Sequence, residues 1–130
     1  MRPWARPWGG QTLRVLLVDD DRMNVELFVD SLAADGHEVT VERDGPAGRE
    51  RALRESFDVL ILDIQLPGMD GYAVCRDLRA AGVRSPILAL SSAAMAENVS
   101  RGLAAGFDAY LTKPISPSAL REAVRSAARR

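Results

Sequence analysis

The sequence predicts an α/β domain in which a parallel sheet carries helices on both faces. Five short apolar segments alternate strictly with five longer segments of helical periodicity along the chain. Such alternation favours parallel strands joined by right-handed helical crossovers. The length of 130 residues suits one domain with one core. We therefore expect one doubly wound domain.

The first strand is predicted over residues 13–18, where L-R-V-L-L-V is mostly apolar and three aspartates follow. A helix is predicted over 23–34, because Val25, Phe28 and Leu32 repeat at helical spacing before a glycine stops the pattern. These two segments form the first strand–helix pair.

The second strand is predicted over 38–42, where apolar and polar residues alternate, and a weaker helix over 46–55. Pro46 suits the first turn of that helix. The run V-L-I-L at 59–62 is wholly apolar and therefore predicts a central strand buried on both faces.

The next segments are a helix over 70–81, a strand over 87–90 and an alanine-rich helix over 94–105. Glycine follows each of the two helices, as expected at helix ends. A short strand over 109–111 and a last helix over 117–128 complete the pattern. Ser116 is placed to cap that last helix, and aspartates 21 and 70 are candidates for the same role.

Residues 1–12 differ in composition from the rest, so we expect a flexible leader followed by a folded domain over 13–130. The leader repeats Arg-Pro-Trp and ends in Gly-Gly, which supports neither a helix nor a central strand. A docking role through Trp4 and Trp8 is the alternative, since tryptophan often anchors binding.

Composition excludes several functions. Seventeen basic and eighteen acidic residues give a net charge of -1, which argues against direct nucleic-acid binding. We find no apolar run long enough for a membrane span and no secretory signal, so a cytoplasmic location without membrane contact is expected. One cysteine and one histidine exclude a disulfide within the chain and a cysteine or histidine metal cluster.

Polar residues gather where the predicted strands end. Ligands of doubly wound sheets bind beyond the carboxyl ends of the strands, so these residues form the candidate site. They are Asp19, Asp20 and Asp21 after the first strand, Asp63 after the third, Ser91 and Ser92 after the fourth, and Thr112 and Lys113 after the fifth.

Clustered carboxylates raise one another's pKa unless a cation lies among them, and Mg²⁺ is the divalent ion that carboxylates and phosphate oxygens share. Lys113, the only lysine among 17 basic residues, would add a compact positive charge for a phosphoryl oxygen. An aspartate can itself be the nucleophile that accepts a phosphoryl group. Asp63 follows the most buried strand and is the best candidate, which leaves Asp19 and Asp20 to hold the metal.

Four segments resemble the receiver domain of bacterial two-component response regulators, and the resemblance covers about residues 13–128. They are V-L-L-V-D-D-D at 15–21, L-I-L-D-I-Q-L-P-G-M-D-G at 60–71, L-A-L-S-S at 88–92 and G-F-D-A-Y-L-T-K-P-I at 106–115. The resemblance implies a flavodoxin-like (βα)5 fold with strand order 2-1-3-4-5. It leans towards the receivers of hybrid histidine kinases and of single-domain regulators.

By the same resemblance, Asp63 is the phosphoacceptor, and Asp19, Asp20 and the backbone carbonyl of Gln65 hold Mg²⁺ with it. Ser91 and Lys113 would contact the bound phosphoryl group, and the Lys113–Pro114 peptide bond would be cis. On phosphorylation, Ser91 would move onto the phosphoryl group and Tyr110 would turn inward. Ser91 stands where threonine is more frequent, and Ala93 is small where many members carry charge, so the phosphate lifetime stays open.

The resemblance implies a histidine kinase or histidine phosphotransfer protein as donor and an unknown downstream protein partner. A homodimer through the fourth helix, fifth strand and fifth helix is an option. We expect a self-phosphorylating switch and not an enzyme with a separate substrate. No output domain is expected within these 130 residues, so output would run through partners or through a larger chain.

Three other functions are alternatives to the receiver. A haloacid-dehalogenase-type phosphohydrolase would use Asp19 as nucleophile in a D-x-D pattern with Asp21, but no cap insertion is visible and few residues follow Lys113. A flavodoxin-like cofactor binder would need a Ser/Thr-rich phosphate loop that the first strand lacks. A receiver-like scaffold that never accepts phosphate is disfavoured by the full acidic set.

Five further residues receive structural interpretations. His37 is expected at a surface turn, and Cys75 as a small packed side chain. Arg121, Arg125 and Arg129 share one face of the last helix, where a solvated stripe favourable to the helix dipole is expected. Partner docking through that stripe is the alternative.

Overall fold

Strand and helix alternate five times in this computed structural model, which describes residues 12–93 and 95–129. The leader up to Gln11, with Trp4 and Trp8, lies outside the described residues, as does Ala94. The strands are β1 Arg14–Val18, β2 Glu38–Glu42, β3 Val59–Asp63, β4 Ile87–Ser91 and β5 Ala109–Thr112. The helices are α1 Arg22–Ala34, α2 Gly45–Arg54, α3 Gly71–Ala80, α4 Ala96–Ala105 and α5 Pro117–Ala128.

The five strands form one parallel sheet in the order β2-β1-β3-β4-β5, as the resemblance implied. The strand order reverses between β1 and β3, so the two strands are neighbours in space although β2 separates them in sequence. Ligands of such sheets bind at this reversal, beyond the strand carboxyl ends. The aspartates that follow β1 and end β3 therefore lie at the expected site.

Side chains alternate between the two faces of the sheet and build a separate core on each. Leu16 and Leu62 belong to the cluster under α2, α3 and α4. Leu17 and Ile61 belong to the cluster under α1 and α5, where Phe28 and Leu120 cover them. Since β1, β3 and β4 carry apolar residues on both faces, they are buried along nearly their whole length, which explains their continuous apolar sequence.

Polar side chains begin four of the helices, as the sequence predicted for three of them. Asp21 Oδ1 accepts from the backbone N–H groups of Met23 and Asn24, and Asp70 Oδ1 accepts from that of Ala73. Ser116 Oγ accepts from the N–H of Ala119. Asp44 caps α2 in the same way, with Pro46 in the first turn. Each cap satisfies a backbone donor that the helix itself leaves without a partner.

Three strands run one residue further than predicted. Asp63, Ser91 and Thr112 belong to β3, β4 and β5 because Asp63 pairs with Leu90 and Ser91 with Thr112 in the parallel ladder. The apolar pattern stops before these polar residues, but the backbone continues to pair whatever the side chain is. The site side chains are thus held by the sheet itself. The helix expected from residue 94 begins at Ala96, after the N-cap residue Met95.

The expectation of a surface turn for His37 is wrong. Its side chain is fully buried, and Nδ1 accepts a hydrogen bond from the backbone N–H of Leu13 at 3.2 Å. His37 therefore ties the start of β2 to the residue before β1, where the sequence showed only a Gly-His turn.

The expected solvated arginine stripe on α5 is wrong for two of its three members. Arg125 donates two hydrogen bonds to the Asp35 carboxylate, at 3.0 and 2.8 Å, and Arg121 Nη1 donates to Ser31 Oγ at 2.8 Å. These contacts tie α5 to α1 and its C-cap residue. Arg129 is largely exposed and lies 3.7 Å from Glu122.

Cys75 matches its prediction as a packed side chain. It is fully buried in the cluster under α2 to α4, and burial raises the pKa of its thiol to about 11. Across 12–93 and 95–129, no helix combines the length and apolar character needed to cross a bilayer.

Candidate functional site

Three carboxylates meet at the point where the strand order reverses. Asp19 and Asp20 follow β1 and Asp63 ends β3, and one oxygen from each lies within 4.8 Å of the others. Asp19 is fully buried, Asp63 is 4% exposed, and Asp20 is exposed. The cluster therefore consists of two buried acids and one acid that is open to solvent.

Backbone N–H groups orient the two buried carboxylates. The N–H of Asp21 donates to Asp19 Oδ1, and the N–H of Gln65 donates to Asp63 Oδ1, both at 2.9 Å. Each bond occupies one oxygen of its carboxylate. The second oxygens, both Oδ2, face a cation that directly follows β5.

That cation is Lys113. Its Nζ donates to Asp63 Oδ2 at 2.6 Å and lies 3.6 Å from Asp19 Oδ2. Burial alone would lower the pKa of Lys113, but the hydrogen bond to Asp63 and attraction to both carboxylates outweigh it, so the pKa lies above its ordinary value. Lys113 is therefore a fixed positive charge between the two acids. The following peptide bond, Lys113–Pro114, is cis as expected.

Asp19 has a distant contact with Lys113 at its second oxygen. Its Oδ2 is buried without a hydrogen-bond partner among the residues that the structure describes. Burial raises the pKa of Asp19 to about 6, and repulsion from Asp63 adds to this, although the Asp21 N–H and Lys113 oppose the shift. A divalent cation would satisfy the orphaned oxygen and offset the repulsion. The donor set, all oxygen, fits Mg²⁺.

Gln65, whose backbone carbonyl is a predicted Mg²⁺ ligand, lies two residues after Asp63. Its backbone N–H is committed to Asp63, and its side chain is exposed. The role of its carbonyl therefore stays a prediction.

Ser91 and Tyr110 are linked through Ala93. Ser91 is 4% exposed, and its Oγ accepts from the N–H of Ala93 at 3.0 Å. Tyr110 Oη donates to the carbonyl oxygen of Ala93 at 2.8 Å. Both side chains thus bind the backbone of one residue in the β4–α4 connection. A displacement of Ser91 would therefore alter the backbone to which Tyr110 is bonded.

Close packing behind Asp63 requires glycine at position 71. A Cβ there would lie 2.5 Å from the Asp63 carbonyl oxygen and 2.9 Å from the Ile64 Cα. The N–H of Gly71 also donates to the Ile64 carbonyl. Helix α3 therefore starts in contact with the backbone of the candidate acceptor.

One residue of this region escaped sequence reasoning. Tyr72 is the second residue of α3, is 4% exposed, and places its hydroxyl 3.4 Å from that of Tyr110. A hydroxyl at an otherwise apolar position of the first turn was the only available signal. Its contacts depend on α4 and β5, which the local sequence does not describe.

A cleft of about 350 Å³ adjoins Lys113 between α1 and the β5–α5 connection. Leu27 and Phe28 line its α1 side, and Pro114 and Ile115 the other. Met23 and Leu27 are exposed large apolar side chains on the same helix. A partner that approaches Asp63 along this cleft would meet apolar surface beside the charged site.

The second aspartate of the D-x-D pattern expected for a phosphohydrolase has a structural role. Asp21, which a D-x-D hydrolase would use with Asp19, instead caps α1 through Met23 and Asn24. Asp19 itself is bonded and buried. The structure therefore does not favour the phosphohydrolase.

Fold and site together define a doubly wound α/β domain with an acidic pocket and one lysine at its switch point. A family model described as the response regulator receiver domain matches residues 15–125. The chain belongs to the response regulator receiver domain family, as the sequence motifs indicated.

Among the curated relatives, the response regulator MprA of Mycobacterium leprae (strain TN) is 39% identical over 118 residues, which are 91% of this chain and 52% of that protein. The chain thus spans about half the length of the curated relatives it matches.

Solved structures agree. The receiver domain of the Francisella response regulator 1452 has a TM-score of 0.87 at 30% identity, with 91% of this chain and 98% of that chain covered. The receiver domain of the sensor histidine kinase PA1611 from Pseudomonas aeruginosa PAO1, with magnesium in its active site cleft, has a TM-score of 0.85 at 30% identity, with 92% and 99% covered.

Proposed function

We propose that this chain is a phosphorelay switch in which Asp63 accepts a phosphoryl group from a phosphohistidine. One observation carries the proposal: the buried Asp63 carboxylate lies against Lys113 and beside an Asp19 oxygen that has no hydrogen-bond partner within residues 12–93 and 95–129. An acid so placed is oriented by its contacts, and the neighbouring Asp19 oxygen can accept a further positive charge.

An Asp63 carboxylate oxygen attacks phosphorus while the P–N bond of the donor breaks. The electron pair of that bond stays on the imidazole nitrogen, which takes up a proton, and Asp63 becomes an acyl phosphate. Lys113, already held at Asp63, stabilises the charge of the transferred group. Mg²⁺, for which Asp19, Asp20, Asp63 and the Gln65 carbonyl are the proposed ligands, supplies further positive charge to the phosphoryl oxygens when bound.

The new charge then changes the surface around α4. Ser91 Oγ leaves the Ala93 N–H for the phosphoryl oxygens, and the hydroxyl of Tyr110 releases the Ala93 carbonyl as the ring turns inward. Phosphorylation thus biases an equilibrium between two arrangements of α4, β5 and α5. The protein serves as a switch and turns over no separate substrate.

The phosphodonor is a histidine kinase or histidine phosphotransfer domain that docks at the cleft beside Lys113. The exposed Met23 and Leu27 on α1 suit an apolar helical partner that presents its histidine towards Asp63. The α4–β5–α5 surface is the candidate output face, for a downstream protein or for a second copy of the chain.

Phosphorylation is tested with acetyl phosphate as a small donor in the presence of Mg²⁺. We expect intact-protein mass spectrometry to show one added phosphoryl group that hydroxylamine removes, as acyl phosphates require. Asp63→Asn should abolish it, whereas Asp30→Asn, at an exposed position of α1, should not. Persistent labelling of the Asp63→Asn variant would place the acceptor elsewhere.

A further inference from the structure

Tyr72 connects three elements of the switch region. The residue lies in the first turn of α3. Its hydroxyl lies 3.3 Å from the Asn98 carbonyl oxygen of α4 and 3.4 Å from the hydroxyl of Tyr110 on β5. Both distances are at the long end of hydrogen bonding, so the contact is adjustable.

The single hydrogen of the Tyr72 hydroxyl has two possible acceptors, the Asn98 carbonyl oxygen and the Tyr110 hydroxyl oxygen. The Tyr110 hydroxyl uses its own hydrogen to donate to the Ala93 carbonyl, so between the two tyrosines Tyr72 is the donor. Tyr72 therefore either holds the backbone of α4 at Asn98 or completes a chain from Tyr72 through Tyr110 to Ala93. Either arrangement joins α3 to the segment that is proposed to move.

The Tyr72 ring is fixed from other sides. The Arg101 guanidinium lies 4.2 Å from the ring centroid, and the Phe107 ring packs edge-on at 6.3 Å with an interplanar angle of 78°. The Tyr110 ring lies against α4 at Gly102, where a Cβ would be 2.8 Å from the ring. A movement of Tyr110 must therefore break its contact with Tyr72, whose own ring is held in place.

We propose that Tyr72 is a positioning residue that sets the resting balance of the switch. By donating to the Asn98 carbonyl or to the Tyr110 hydroxyl, it stabilises the arrangement in which Ser91 is bonded to Ala93, and so limits the population of the activated arrangement before phosphorylation. This role rests on the proposed function. It adds Tyr72 of α3 to Tyr110 as a second tyrosine of the switch.

The test is Tyr72→Phe, which removes the hydroxyl and keeps the ring under Arg101. Beryllofluoride with Mg²⁺, a phosphoryl mimic, is titrated while the backbone amide resonances of Ala93 and Asn98 are followed by NMR. A net hydrogen bond is worth about 1 kcal/mol, so we expect beryllofluoride to bind about three- to tenfold more tightly to the variant. The affinity for Mg²⁺ alone should not change.

Ser85→Ala is the matched control. Its Oγ donates to the Phe57 carbonyl at 2.6 Å, a hydrogen bond at the opposite end of the sheet. It should lose stability with no change in beryllofluoride affinity, which separates a switch effect from a general loss of stability.

Unchanged or weaker beryllofluoride binding by Tyr72→Phe, with normal binding by the parent protein, would overturn the role of Tyr72 alone. A parent protein that binds no beryllofluoride and takes no phosphoryl group on Asp63 would overturn the proposed function, and this inference with it.

Discussion

At the scale of single residues, the site depends on one lysine between two buried acids. Lys113 bonds Asp63 and faces Asp19, and the rest of the basic residues in the chain are arginines. An ammonium is a compact charge, so it can lie between two carboxylates that a planar guanidinium would bind side-on. Neutralising it leaves two buried charges to repel each other.

We therefore expect Lys113→Met to destabilise the metal-free protein by about 1–3 kcal/mol, because truncating one partner strands buried charge. Urea unfolding near neutral pH measures this, and saturating Mg²⁺ should recover much of the loss. Arg84→Met, at an exposed position away from the site, is the control and should change little. Equal stability of Lys113→Met and the parent protein would show that the lysine does not compensate the acids.

At the scale of elements, a helix is packed directly onto the strand that carries Asp63, the proposed acceptor. Gly71 opens α3 where any side chain would meet the Asp63 carbonyl. Rigid contact of this kind holds the acceptor's backbone in place, which is what in-line transfer needs.

Gly71→Ala should therefore cost about 1–3 kcal/mol through overpacking and also slow the labelling of Asp63 by acetyl phosphate. Gly82→Ala provides the comparison, since a Cβ there meets nothing within 4 Å and the cost comes only from its φ of +92°. That variant should lose stability at an unchanged labelling rate. If both variants label at the parent rate, α3 does not position the acceptor.

The strands and the acids of the site could be predicted from the sequence, but contacts between distant elements could not. Continuous apolar runs identify β1, β3 and β4 because those strands are buried on both faces, and the acids follow from where such strands end. The pairing of Arg125 with Asp35 was not predictable, because it joins residues 90 positions apart that only the finished fold brings together. His37 and Tyr72 escaped for the same reason, since their partners lie on other elements.

At the scale of the whole molecule, stability, protonation and metal binding are linked through Asp19. Its pKa of about 6 in the folded chain, against an ordinary 3.8, means that the folded state holds this proton more tightly than the unfolded state does. The contribution of Asp19 to the stability of the metal-free protein therefore falls as pH rises from about 4 to about 6, and is constant above that range. At the proposed metal site, Mg²⁺ would bind the ionised form of Asp19 and so compete with the proton.

The stabilisation by Mg²⁺ should consequently grow with pH through this window and level off above it. Thermal unfolding at a fixed Mg²⁺ concentration, compared with unfolding in chelator across the pH range, measures the difference directly. Asp19→Asn should flatten the part of the metal-free profile that belongs to this carboxyl and remove most of the Mg²⁺ effect, while Asp30→Asn should leave both unchanged. A Mg²⁺ stabilisation that is equally large at about pH 4 would mean that the cation binds elsewhere, because a protonated Asp19 cannot be its ligand.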